Sequence, residues 1–419
     1  MNKINNNVFL KNVLTLMAGT VIAQAVPIAI IPILTRIFTP EDFGLLAVYS
    51  AVVSILGSIV AGRYEVAIQL PENDEDARVL LQVSVLVAAI VSLTIYVPVS
   101  IFNSEISKFL GNDDIAMWLY LIPISVFVTA FYQALTYWNN RGGRFKATAL
   151  SRVVQSLFQG SAQTSFGFVQ LLGGLIWGQL IGLFFGMAYL LKKDRADKLI
   201  LGNIESNKIK EQIKKYQKYP KYGVFGALCD ASAIQMPVLM LTKFYSSSVT
   251  GMFSLTFRIL NIPASIISSA IAQVLFKKVV EISHSEPEKL NKYIIKLFIL
   301  LFITYLPIVP ILFIWGEPLF SLVFGQQWGQ AGVYAGYLVI AVAIRFAVSP
   351  LSAVLGLEQN IKMGVLWQVL YLCTITVTLY SSSFLSIEEF LIAFVVHEVV
   401  LYLIYFFLIL KGTKEIAKC

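Results

Sequence analysis

The sequence predicts an all-α polytopic membrane protein: about twelve transmembrane helices in two six-helix lobes, related by a pseudo-twofold along the membrane normal, around a central cavity. Three observations carry this. Hydrophobic residues make up 57% and charged residues 13% of the 419 positions, with a mean hydropathy of +0.75, whereas soluble domains are about 25% charged. Uncharged stretches such as 12–35, 79–104, 115–140, 318–344 and 363–387 each reach the roughly 20 residues that a spanning helix needs. Finally, an apolar run ends twice in the same punctuation, 207 residues apart: Leu34, Thr35, Arg36, Phe38 and Gly44, then Leu241, Thr242, Lys243, Tyr245 and Gly251.

Taken in order, the predicted spans are 12–35, 43–69, 79–102, 115–138, 147–167, 171–191, 221–243, 250–276, 293–315, 328–355, 361–383 and 388–410. Unpaired backbone groups are too costly in hydrocarbon, so these segments must be helices; the alternating ten-residue pattern of a barrel is absent. The uncharged run 153–191 is too long for one crossing at about 1.5 Å per residue and must turn back near Phe166 to Gly174. The first span runs too long for a signal peptide.

The duplication extends further. Leu110, Gly111 and Asn112 answer Phe324, Gly325 and Gln326, and Lys146 answers Lys362, at offsets of 214 and 216 that grow in order. An even number of spans per half makes both halves enter from the same side, as in parallel transporter repeats. The domains expected are 1–191, a six-helix lobe; 192–220, a basic cytoplasmic linker; and 221–419, a second six-helix lobe.

Orientation follows from lysine and arginine. With the N-terminus inside, 27 of the 32 basic residues collect on one face, from Lys3 to Lys418, with ten in 192–221. The positive-inside rule then makes both termini cytoplasmic. The net charge of +8 is therefore the cytoplasmic rim of a membrane protein and not a nucleic-acid footprint. Within the linker, Ile204, Ile209 and Ile213 recur at helical spacing among lysines, which suits either an amphipathic helix on the anionic inner leaflet or a solvated connection. Cys229, Cys373 and Cys419 show neither a disulfide framework nor metal spacing. No Walker A loop is present, so ATP hydrolysis by the chain is not expected, and neither a cofactor nor a metal is.

Pro32 to Arg36, Thr39 to Gly44, Arg63 to Pro71, Tyr219 to Tyr222, and Tyr245 to Lys278 with Phe257 and Arg258 inside resemble bacterial polysaccharide exporters of the Wzx type. These are O-antigen and polysaccharide repeat-unit flippases of the multidrug/oligosaccharidyl-lipid/polysaccharide flippase superfamily. The resemblance covers nearly the whole chain. It implies a transporter in the bacterial inner membrane that moves undecaprenyl-diphosphate-linked oligosaccharide from the inner to the outer leaflet by alternating access. It also implies a repeat-unit polymerase and a chain-length regulator as partners, beside membrane lipids, and no enzymatic activity. The alternative is an ion-driven small-molecule or drug antiporter of the same superfamily.

Such a cargo needs a wet, cationic cavity, and arginine can fork onto phosphate oxygens while always charged. Intramembrane arginines are functional candidates by default because insertion of a lone cation is costly. Arg258 and Arg345, deep in spans eight and ten, fit best. The structural alternatives are pairs with Asp230 and with Glu398. Arg63, at the inner end of span two, is a candidate for the inward mouth, which Arg78, Arg141, Arg144, Lys146 and Arg152 could extend. Glu65, two residues from Arg63, is expected on another helical face and unpaired with it. Arg152, Gln155, Ser156, Gln159 and Gln163 form one stripe along span five, suited to reading sugar hydroxyls; the alternative is interhelical packing against a neighbour. Asp230, Glu65 and Glu398, with His397 beside the last, are the carboxylates placed within spans, for ion coupling or for structural ion pairs.

Overall fold

The computed structural model describes residues 6–194, 206–285, 287–356 and 361–416. Among the described residues there is no strand, and every expected span lies on a helix or a helix pair. Lys3, Ile204, Lys418 and Cys419 lie outside the described residues. Among the described residues, eight helices are long and apolar enough to cross a membrane by length and composition, or up to nine if one bent pair counts as a span. The other expected spans fall on α1 (Asn6–Ile37), on α8 (Phe145–Phe168) and on a helix over Ile361–Ser382. The glutamine stripe of α8 is what lowers its hydropathy.

The chain divides into two compact units: Met1–Phe38 with Leu45–Gln235, and Thr39–Gly44 with Met236–Cys419. In unit one, α1 packs along α8, and α8 packs along α9 (Gly174–Asp194). Glycines make this possible. A β-carbon at Gly160 would strike Ile30, and one at Gly167 would strike Ile37 and Phe38; small residues let membrane helices approach closely where van der Waals contact drives association.

Helix α2 (Pro40–Gly57) starts with proline at its first position and a reciprocal cap, Thr39 N–H to Asp42 Oδ2 at 2.9 Å and Asp42 N–H to Thr39 Oγ1 at 3.3 Å. The expected span 43–69 is not one helix. It ends at Gly57, and a turn with Gly62 at φ 62° and Arg63 at φ 61° leads into the short α3 (Tyr64–Ala67). Helix α4 (Asp74–Ile101) is capped by Asn73, whose Oδ1 accepts from Asp76 N–H at 2.7 Å, with three acids in its first turn facing the positive end of the helix dipole. After α5 (Asn103–Leu110), the expected fourth span is a bent pair, Asp113–Leu119 with Ile122–Arg141, at 58°. Its parts are α6 (Ala116–Leu119) and α7 (Ile122–Arg141), with Pro123 at the bend.

The described part of the linker contains a helix, as the first of the two readings expects, and its contacts are with protein. Helix α10 (Ser206–Lys215) docks on unit one: Ile209 and Tyr216 pack on the cluster of Tyr64, Ile68, Leu80 and Leu81, Gln212 is buried, and Lys208 Nζ meets Glu75 Oε1 at 2.5 Å. Its apolar stripe is thus divided, with Ile209 against protein and Ile213 exposed among Lys210, Lys214 and Lys215.

A π-helical turn at Tyr219–Gly223 opens α11 (Val224–Phe244). Unit two then holds α12 (Ser247–Ser285), α13 (Pro287–Tyr305), α14 (Ile308–Phe324), α15 (Gly329–Val348), α16 (Ile361–Ser382) and α17 (Ile387–Ile416). Helices α14 and α15 approach backbone to backbone at Gly316 and Gly332. The repeat is visible in the backbone. Gly111 at φ 77° and Gly325 at φ 107° each close a helix ahead of a 3-10 turn, and Thr35 and Thr242 are both buried. Gly44 and Gly251 meet each other within unit two: a β-carbon on Gly44 would strike the Ser247 carbonyl, and one on Gly251 the Pro40 carbonyl.

Candidate functional site

Unit two concentrates its polar chemistry around Glu398. Phe394, Glu398, Tyr402 and Tyr405 recur at spacings of three and four on α17, and Trp367, Tyr371 and Thr374 do so on α16, so each set shares a helical face. Glu398 is buried, its side chain 1% exposed, and a buried carboxylate must find partners. Tyr371 Oη donates to its Oε1 at 2.5 Å, and Arg345 of α15 approaches its Oε2 at 3.9 Å. His397 Nδ1 lies 3.6 Å from Glu398 Oε1, while its Nε2 meets Thr374 Oγ1 at 3.0 Å.

The Arg345 guanidinium also stands over the rings of Tyr402, at 5.6 Å, and Phe257, at 5.9 Å, as cations do over the negative face of an aromatic ring. Trp367 stacks on Tyr405 at 4.3 Å beside this group. The pairing of Arg345 with Glu398, weighed above as the structural alternative, is therefore present. It leaves the Arg345 side chain 24% exposed. The aromatic surround was missed in the sequence, although the i, i+4 aromatic spacing on α16 was a legible signal.

Arg258 behaves differently. It sits on α12 immediately after Phe257, is half-buried, and has no hydrogen bond or ion pair among the described residues. Asp230, weighed as its structural partner, is an exposed residue of α11 in unit one.

In unit one, Arg63 and Glu65 are paired at 3.6 Å, against the expectation. The expectation assumed both lay in one helix. Arg63 has left-handed backbone geometry and precedes α3, so helical face arithmetic does not apply to it. Arg141, expected on a basic rim, is instead consumed as a clasp on the loop after α3: it donates to Pro71 O at 2.6 Å and to Asp74 Oδ1 at 3.2 Å.

The stripe on α8 is packed between neighbours. Gln163 is buried and donates through Nε2 to Leu175 O at 2.9 Å, and Ser156 Oγ donates to Ala23 O at 2.7 Å. Gln155 and Gln159 lie against Gly182 and Gly186 of α9, where an added β-carbon would meet their atoms at 2.6 to 3.0 Å. These contacts show interhelical packing at Gln163, the second of the two readings. Arg152, Gln155 and Gln159 are half-buried. Replacing Gln163 with alanine is expected to lower stability by roughly 0.5–1.5 kcal/mol, the range of interhelical hydrogen bonds in lipid. Thermal melting of the purified protein checks this, and a residue that serves only the cargo would leave the melting point unchanged.

The family model described as "Polysaccharide biosynthesis protein" matches residues 33–332. The chain belongs to this family. The resemblance drawn from Pro32 to Arg36, Thr39 to Gly44 and Arg63 to Pro71 is thereby borne out. A curated relative of this polysaccharide biosynthesis protein is the succinoglycan biosynthesis transport protein ExoT of Rhizobium meliloti (strain 1021), 23% identical over 349 residues, which are 80% of this chain and 65% of that protein. The chain thus spans about two thirds of that relative's length. Among solved structures, an inward-facing multidrug resistance MATE transporter of the MOP superfamily aligns with TM-score 0.66 and 13% identity, over 96% of this chain and 95% of that one. A MOP superfamily transporter from Pyrococcus furiosus aligns with TM-score 0.61 and 14% identity, over 97% and 96%. At such identity these likenesses show the fold, a two-lobed helical membrane architecture.

Proposed function

We propose that this chain is a flippase that moves undecaprenyl-diphosphate-linked oligosaccharide repeat units, of O-antigen, capsule or a related polysaccharide, from the inner to the outer leaflet of the bacterial inner membrane by alternating access. Arg258 carries the reading: it is a cation on an apolar helix with no partner among the described residues. Holding a charge at such depth costs about 2.5–3.5 kcal/mol on insertion scales. An anionic ligand that arrives and leaves accounts for that cost, and a diphosphate offers the oxygens that a guanidinium forks onto. The polyprenyl tail stays in lipid, so the protein has only the head group to shelter.

Arg345 plays a supporting part in this reading. Glu398 and the rings of Tyr402 and Phe257 hold its guanidinium in place, and its side chain is 24% exposed. Arg152, Gln155 and Gln159 remain as neutral and basic contacts for sugar hydroxyls. In this reading both termini and α10 are cytoplasmic, which the gathering of basic residues on one side supports. No bond is made or broken, and a repeat-unit polymerase with its chain-length regulator receives the product outside. The test is translocation in reconstituted vesicles: the chain should move a lipid-linked oligosaccharide and should not expel a cationic dye, which an ion-driven drug antiporter would.

A further inference from the structure

Arg63 and Glu65 stand apart from the Arg345–Glu398 group in three respects. First, the backbone is strained: Gly62 and Arg63 are both in the left-handed region, at φ 62° and 61°, which costs an ordinary side chain roughly 1–2 kcal/mol. Strain of this kind persists where surrounding structure enforces it, and it gathers at functional positions. Second, the pair is unequal. The Glu65 side chain is 3% exposed and the Arg63 side chain 31%, so the carboxylate is sealed and the guanidinium reaches water. Third, the pair is incomplete. The contact is 3.6 Å, through Oε1 alone, and Glu65 Oε2 is buried with no hydrogen-bond partner among the described residues. By contrast Glu398 accepts a hydrogen bond from Tyr371 besides its 3.9 Å contact with Arg345.

The stem of Arg63 lies near the π-helical turn, while its head meets Glu65. A β-carbon at Gly223, in the π-helical turn, would lie 3.6 Å from Arg63 Cβ and Cγ. Such turns often mark functional sites. The elements packed on α3 carry other titratable and charged groups. Helix α4 supplies Asp74, Glu75, Asp76 and Arg78, of which Asp74 is tied to Arg141 and Glu75 to Lys208 of α10. Helix α7 supplies Tyr137, and the π-helical turn supplies Tyr219, Lys221 and Tyr222, with Lys221 held by Gln217. Among the described residues, Arg63 and Tyr137 interact electrostatically with Glu65.

We propose that Arg63 and Glu65 form an anion gate: Glu65 holds the guanidinium until a ligand diphosphate displaces it, and the buried carboxylate left behind takes up one proton. A carboxylate sealed from water and deprived of its cation is more stable neutral. Its unpartnered Oε2 is where the proton would sit. The step balances: diphosphate and a proton enter, one ion pair replaces another, and no covalent bond between heavy atoms changes. The inference rests on the proposed diphosphate-linked cargo for its ligand class. It differs from that proposal in placing a first contact at the basic end of unit one and in linking that contact to protonation.

The experiment measures binding of farnesyl diphosphate and of inorganic pyrophosphate to the purified full chain by calorimetry, in two buffers of different ionisation enthalpy so that protons taken up can be counted. The protein should take up about one proton per ligand near pH 7. Glu65→Gln should abolish that uptake and tighten binding by about tenfold, because the competitor for Arg63 is neutral. Arg63→Gln should abolish the uptake and weaken binding, an arm that remains readable if Glu65→Gln does not fold. Uptake with both probes assigns the site to the diphosphate group itself, and uptake with farnesyl diphosphate alone assigns it to lipid-borne diphosphate. No proton uptake with either probe, or uptake unchanged in both variants, overturns the gate. Binding is read without transport, so a chain that flips oligosaccharide yet lacks Glu65-linked uptake defeats this inference alone. A chain that shows the uptake but flips nothing defeats the cargo and leaves the gate.

Discussion

Replacing Arg258 with alanine is expected to remove surface polysaccharide while leaving the protein inserted and at least as stable as before. The two halves of this result have separate causes. Arg258 has no hydrogen bond or ion pair among the described residues, so removing its charge relieves a desolvation cost and breaks no such bond there. The ligand, in contrast, loses its counter-charge, a loss worth about 2–5 kcal/mol in a buried setting. At about 1.4 kcal/mol per factor of ten, that is a fall of at least roughly 30-fold in transport. Arg258→Lys should restore part of the activity, since an ammonium keeps the charge but cannot fork onto two phosphate oxygens. Polymer measured per unit of membrane-inserted protein, beside a melting curve, checks both halves. Normal polymer in the alanine variant would remove Arg258 from the site, and a lowered melting point would return it to a structural role.

The second large effect is expected at Gly251. Here α12 lies so close to the start of α2 that a β-carbon would strike the Pro40 carbonyl and crowd Gly44 N. Backbone atoms cannot rotate away as a side chain could, so the helices must part. Gly251→Val should destabilise by about 1–3 kcal/mol, the usual cost of overpacking, and more if separation also breaks the cap at Thr39 and Asp42. The melting point of the purified protein measures this.

The sequence made Gly44 and Gly251 visible as a repeat, but not as partners. Their equivalence lay in spacing, which one dimension preserves; their contact depends on two helix starts meeting, which it does not. Most spans were legible for the same reason, since uncharged length is a one-dimensional property. The exception at span two is instructive. The apolar run continued through Ser58 to Leu70 without a charge until Arg63, and nothing local announced that Gly62 and Arg63 would turn left-handed. That turn moved Arg63 off the helix and made its pairing with Glu65 possible.

For the site, charge was legible and packing was not. Arg258, Arg345 and Glu398 stood out because charges are rare in apolar runs. Which of them would be satisfied depended on the faces of α15, α16 and α17, and on Tyr371, a residue whose type carries no warning. The α8 stripe shows the converse. Its spacing was read correctly as one face, but the glycines of α9 that this face meets, Gly178, Gly182 and Gly186, follow at spacings of four in the next helix. A polar stripe answered by a glycine stripe is the pattern of two helices packed closely together.

The most direct measurement of the central claim is translocation by the purified chain in sealed vesicles that carry a lipid-linked oligosaccharide in one leaflet, with an added glycosidase reporting how much of the sugar reaches the other. The protein should raise the accessible fraction well above that of empty vesicles, Arg258→Ala should return it to that background, and a cationic dye loaded inside should be retained. Sugar accessibility equal to that of empty vesicles, or dye expulsion that depends on Asp230 and not on Arg258, would contradict the account.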